Sequence, residues 1–263
     1  MKINAKVLKP MLLTAAAIML VVATVFATMA YMTSSAAVSN VFTVGNVKLQ
    51  MFETKVDKNG DPVDPNPDPN AMKTADTNSY HLMPGVSYLK DPTIYVGADS
   101  DESYLFIRVR NDLKTIEKQG DSEHLTIVEQ LRKNGWLEIE RASTNVDAVF
   151  VYVGSIDLRE DINNVDVSDC NTESERTAKV LAALSSVKAK IVGGTGTRQD
   201  ISVFEEFTLA DKIENLDMYG GARVAIVAYA IQVRGISEEE DIGTQTAYLA
   251  AWEYIKNELP FVV

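Results

Sequence analysis

The chain has 263 residues, and with 37 acidic against 25 basic side chains its formal net charge is −12. Such a surface repels phosphate backbones and argues against nucleic-acid partners, while it suits divalent cations or basic partners. One cysteine, Cys170, leaves no partner for an intramolecular disulfide, so stability must come from a core, which a chain of this size can bury.

Residues 1–30 have the form of an export signal. Lys2, Lys6 and Lys9 precede the apolar block Met11–Met29, and small residues at Ala27 and Ala30 suit a signal peptidase, which needs an unhindered extended site. Cleavage is expected between Ala30 and Tyr31. The alternative is a retained anchor, since the block matches the ~20 residues that cross a bilayer. Residues 31–263 are then one β domain, more acidic than the whole because the signal removes three lysines and no acid.

The first strand-like stretch changes phase. Phe42 and Val44 share one face of an extended chain, but past Gly45-Asn46 the apolar set is Val47, Leu49 and Met51, on the other parity. Side chains alternate with a period of two, so such a flip requires a bulge or a change of partner. Val38–Val44 and Val47–Phe52 are therefore expected in different sheets, or in different molecules.

Residues 55–79 form an acidic, proline-rich insert in which four prolines alternate with Asp and Asn, a pattern that supports neither ladder nor helix. Its acidic spacing leaves calcium open, although the glycine and terminal glutamate of a twelve-residue calcium loop are missing. Thr93–Val96 and Tyr104–Arg110 read as strands, the second apolar on both faces. Glu123–Asn134 has helical spacing and is closed by Gly135. Trp136–Ile139 and Val146–Val153 return to strand, whereas Asp157–Thr177 is polar and irregular. A helix is expected over Glu175–Ile191, a strand over Ile201–Phe207 and a short helix over Leu209–Leu216. Ala222–Val233, apolar on both faces, should be a central strand covered on both sides. Thr244–Leu259 is an amphipathic helix with Tyr248, Ala251, Trp252, Ile255 and Leu259 on one face. Many short strands with a few helices predict a mainly β protein, a β-sandwich with helical decoration.

No catalytic constellation stands out. His81 and His124 are the two histidines, and neither lies in the two-His, one-Glu helical spacing of a zinc protease. No Gly-x-Ser-x-Gly elbow is present, and Gly193-Gly194-Thr195-Gly196 lacks the Lys-Ser/Thr of a phosphate loop. Cys170 has no basic neighbour to lower its pKa. Tyr80, Tyr88, Tyr95, Tyr104 and Trp136 are arranged as core rather than as a sugar platform. No catalytic residue, cofactor or metal ligand is assigned.

Two stretches, Ala30-Tyr31-Met32-Thr33-Ser34 and Asn40-Val41-Phe42-Thr43-Val44-Gly45-Asn46-Val47, resemble the amino end of the TasA/camelysin family, proteins of Firmicutes exported through the SipW signal peptidase. Met32 stands where that family shows Phe, and Ser34 where it shows Asp. Met83-Pro84-Gly85, Lys90-Asp91-Pro92, Ala228–Gln232 and Ala251-Trp252 also resemble the body of SipW-dependent proteins. The resemblance implies a jelly-roll-like sandwich, secreted to the extracellular matrix or cell surface, that assembles into biofilm fibres with itself or a related matrix protein. In that family the mature amino terminus donates a strand to the next subunit, here Val38, Val41, Phe42 and Val44, with Gly45 at its end. The membrane is met only in transit through the signal peptide. The alternatives are a camelysin-like metalloendopeptidase and a surface adhesin.

Overall fold

The computed structural model describes residues 33–68, 70–121, 123–142 and 147–258. In chain order the strands are β1 (Thr33–Val44), β2 (Leu49–Phe52), β3 (Thr77–His81), β4 (Ser87–Leu89), β5 (Thr93–Val96), β6 (Ser103–Asn111), β7 (Trp136–Arg141), β8 (Asp147–Tyr152), β9 (Gln199–Ser202), β10 (Glu206–Thr208) and β11 (Val224–Gln232). The helices are α1 (Ile127–Lys133), α2 (Arg159–Asn163), α3 (Glu173–Ala183) and α4 (Gln245–Glu258). The protein is mainly β, with few helices.

A six-stranded sheet in the order β3-β1-β11-β6-β8-β7 forms the middle layer, and smaller sheets β2-β5-β9 and β10-β4 accompany it. The period-two alternation decides what each face meets. From β6, β8 and β11, Leu105, Ile107, Phe150, Ile226 and Ala228 pack with Ile94, Val96, Tyr88 and Phe207 of the small sheets. The intervening residues Tyr104, Phe106, Val151, Tyr229 and Ile231 pack with Tyr248, Ala251, Trp252 and Ile255 of α4. Strand β11 is thus covered on both faces and paired on both edges, as its apolar run requires.

Helix α1 begins where a capping box dictates: Thr126 accepts from the Glu129 N–H, and the Glu129 carboxylate accepts from the Thr126 N–H. It ends at Gly135, whose φ of +76° needs glycine and where a Cβ would lie 1.4 Å from the Gly154 carbonyl oxygen. The same box, Thr172 with Glu175, starts α3 two residues before the expected Glu175. The helix then stops at Ala183, short of the expected Ile191, because the chain beyond pairs elsewhere. The Ala189 N–H donates to Gly243 O at 2.7 Å and the Lys190 N–H to Tyr152 O at 2.9 Å.

Four further expectations are corrected, the first three by tertiary pairing. Ile201–Phe207 is two strands in different sheets, separated by the buried Val203 and Phe204. Gln130 spans the break by accepting from the Glu205 N–H and donating to Glu206 O. Leu209–Leu216 forms no α-helix, since Leu209 and Ala210 donate instead to Val86 O and Ile116 O. The insert is anchored sooner than its composition indicates. Glu53 and Ala75 form a bridge, Val56 pairs with Pro62, and β3 starts at Thr77. Residues 157–177, read as irregular, contain α2 and the start of α3.

Glu117 gives the fold a pH dependence. It is 6% exposed and accepts from the Ile127 N–H at 2.6 Å and from Asn111 Nδ2 at 3.1 Å. Desolvation, only partly offset by those donors, raises its carboxyl to about 7. The folded protein therefore holds a proton that the unfolded chain releases near the ordinary glutamate value, so stability falls as pH rises between the two. The loss is up to about 3 kcal/mol by linkage. Urea midpoints should decline from pH 5 to pH 7.5, and Glu117→Gln should flatten that decline. An unchanged slope in the variant would assign the effect to another group.

Candidate assembly site

Strand β1 is rich in Ser, Thr, Ala and Val, small or β-branched residues that suit an extended chain between neighbours. Its first half runs antiparallel to β3, from Thr33 opposite His81 to Ala37 opposite Thr77. Its second half runs parallel to β11, from Val38 opposite Ile226 to Val44 opposite Ile231, with an irregularity between Val38 and Asn40. The other strand ladders among the described residues are antiparallel. A parallel ladder cannot be closed by a short hairpin. Here the partner β11 comes from near the far end of the chain, so β1 fills its place with no tight turn tying it to β11.

Gly45 is the pivot at the exit of β1. Its φ is +97°, and a Cβ there would come within 2.6 Å of Gln232 Oε1, so side chains are excluded by conformation and by space. Beyond it the chain leaves the six-stranded sheet. Asn46 O accepts from the Asp101 N–H at 2.9 Å, the Lys48 N–H donates to Ser100 Oγ at 3.0 Å, and Val47 and Met51 enter the core beside β5. The phase flip is thus a change of sheet: β1 belongs to one and β2 to another.

Val38, Val41, Phe42 and Val44 all lie in β1, with Gly45 immediately after. Ala30 and Tyr31 lie outside the described residues. The predicted strand stands within its own subunit's sheet, with Val38–Val44 paired to β11 and the residues before it, Thr33–Ala37, paired to β3.

The groups the sequence offered for metal, nucleophilic or sugar chemistry are dispersed. Among the described residues no cluster of three or more His, Cys, Asp or Glu is placed to hold a metal ion. In the acidic insert, Asp57, Asp64 and Asp68 turn back on their own loops and accept from the N–H groups of Asn59, Asn66 and Asn70 at 2.8–3.0 Å. His81 ends β3 and His124 lies in the loop before α1. Tyr80, Tyr88, Tyr95, Tyr104 and Trp136 are buried, and Tyr88 stacks on Phe207 at 5.1 Å.

Comparison with protein-family models, curated proteins and solved structures yields no match. The geometry of the chain therefore carries the functional reading.

One buried cluster is not foreshadowed by any sequence pattern. Lys90 and Glu53 are both 0% exposed, and Lys90 Nζ donates to Glu53 Oε2 at 2.7 Å. Asn78, 5% exposed, donates from Nδ2 to Glu53 Oε1 at 2.9 Å and to Thr54 O at 2.7 Å. Its carbonyl Oδ1 accepts from the Val56 N–H at 3.1 Å. Tyr80 adjoins the group, and its hydroxyl donates to Leu89 O at 2.9 Å. Burial is the largest influence on both charged partners: it lowers the Lys90 pKa and raises that of Glu53, against their mutual attraction. Lys90 follows Tyr88-Leu89 and precedes Asp91-Pro92, and nothing in that run shows that its amine ends in the core.

Proposed function

We propose that this chain is a secreted structural subunit that assembles into extracellular fibres by exchanging its first strand with the next copy, or with a related matrix protein. One observation carries the reading: the strand nearest the amino end of the described chain occupies an internal place in the six-stranded sheet, parallel to β11 and joined to the body through a glycine pivot. Such a strand can leave its own slot and enter an identical slot next door with the same ladder, which is the condition for domain swapping and strand addition. In this reading the layered sheets are a jelly-roll-like sandwich. Cleavage between Ala30 and Tyr31 by a SipW-type peptidase frees the terminus, and the subunit acts without catalysis or cofactor, outside the cell.

The test is to lock β1 into its own sheet. Thr43 and Ala230 are register partners, so in a Cys170→Ser background Thr43→Cys with Ala230→Cys places two thiols on adjacent strands, within disulfide reach. The oxidised variant should elute as a monomer and form no fibres on electron micrographs, and reduction should restore the assembly of the unlocked chain. Fibres formed by the oxidised variant would refute strand exchange.

A further inference from the structure

We propose that Lys90 and Asn78 join in an autocatalytic isopeptide bond, with Glu53 as the proton carrier. The proposal is independent of the assembly reading and rests on the buried cluster: an amine and a primary amide held on the two oxygens of one carboxylate, at 2.7 Å and 2.9 Å, with no exposure of Lys90 or Glu53.

Four requirements of an amide exchange have a counterpart in the cluster. The amine must be neutral to attack. Burial works toward that by holding the Lys90 pKa down and the Glu53 pKa up, so a proton can pass from Nζ to Oε2 along their hydrogen bond. The amide carbonyl must be polarised, and Oδ1 of Asn78 already accepts from the Val56 N–H at 3.1 Å, a donor that also meets the negative charge formed on attack. The leaving nitrogen must be protonated, and Nδ2 rests on the other Glu53 oxygen. Water must be excluded, because hydrolysis competes for the same carbon. Tyr80, Tyr88 and Phe207, mutually packed and buried, enclose this end of the core.

The step balances without a co-reactant. The Nζ lone pair of Lys90 forms a bond to Cγ of Asn78, and the carbonyl π pair moves to Oδ1. The proton Glu53 took when it neutralised the amine passes to Nδ2, and the carboxylate so freed takes the second Nζ proton at Oε2 and keeps it, while the Oδ1 pair returns to re-form the carbonyl. The Cγ–Nδ2 bond breaks, ammonia departs, and a secondary amide links Lys90 Nζ to Asn78 Cγ. The product ties β3, the strand that flanks the first half of β1, to the connection between β4 and β5.

Mass spectrometry of the purified folded chain decides the matter. Loss of ammonia lowers the mass by about 17 Da. Trypsin cannot cleave after an acylated lysine, so the ordinary fragment 74–90 should be replaced by fragment 74–108, with no backbone fragment ions between Asn78 and Lys90. Glu53→Gln should show the unmodified mass and the ordinary fragment, and Asn78→Asp should link with loss of water, about 18 Da. A wild-type chain that releases fragment 74–90 at its unmodified mass would overturn the proposal, whether or not the variants fold. So would a 17 Da loss that maps to a cyclised asparagine, such as Asn59 before Gly60.

Discussion

A chain from which Thr33–Val44 has been removed will bind a synthetic peptide of that sequence and recover much of its lost stability. The deletion takes out an internal strand, so the donors and acceptors of β11 from Ile226 to Ile231, and those of β3 from Thr77 to His81, lose their partners together. Each lost ladder hydrogen bond is worth about 0.5–1.5 kcal/mol net, so the truncated chain should melt well below the intact one. The exposed β11 edge becomes a template for any extended chain. The peptide supplies the missing ladder, and its effect must grow with concentration, reaching about 2.7 kcal/mol at a hundredfold excess over its Kd. A scrambled peptide of the same composition should do much less, since its side chains no longer match the register that sets Val38 opposite Ile226 and Val44 opposite Ile231. Equal melting temperatures for truncated and intact chains, with no response to peptide, would mean that β1 is an ornament on a body that is complete without it.

What the sequence disclosed, and what it hid, divides along the range of the interactions. The strands β6, β8 and β11 are legible because they are long β-branched and aromatic runs, apolar on both faces, and α4 because its stripe repeats at helical spacing. Gly45 was legible as well: a parity change marks the boundary between sheets whatever the partners are. The pairing of β1 with β11 was not, because a parallel ladder between opposite regions of the chain leaves no local pattern. Residues 201–207 read as one strand since Val203 and Phe204 continue the apolar run, and the break there is made tolerable by distant groups, Gln130, Asn134 and Trp136, that bond its backbone. The Glu53–Lys90–Asn78 cluster is the extreme case. Its residues come from a strand end, a linker and an edge strand, and each alone is an ordinary surface residue.

Replacing Trp252 with alanine should be the most damaging single truncation on the helical side of the sheet. The indole is 2% exposed and lies 5.6 Å from both the Phe106 and the Tyr229 rings, the second edge-on at 75°. Its Nε1–H donates to Glu140 Oε2 at 3.0 Å, an oxygen that also accepts from Lys256 Nζ at 2.9 Å. Truncation of a buried tryptophan costs about 3–5 kcal/mol in lost transfer energy and cavity. Glu140 keeps its lysine partner, so the electrostatic penalty adds little to that figure. Urea midpoints should fall accordingly, while Trp252→Phe, which keeps most of the volume and loses only the donor, should cost about 1–2 kcal/mol. A loss below about 1 kcal/mol for the alanine variant would show that α4 is dispensable to the core. The position also bears on assembly, because Tyr229 stands opposite Phe42 in the β1–β11 ladder. Loosening the helix that backs β11 should let β1 leave its slot sooner, so fibres of the alanine variant should nucleate faster even as its monomer becomes less stable. A strand exchange limited by opening of the closed subunit demands both effects together. Slower assembly in the destabilised variant would place the limiting step in docking between subunits instead.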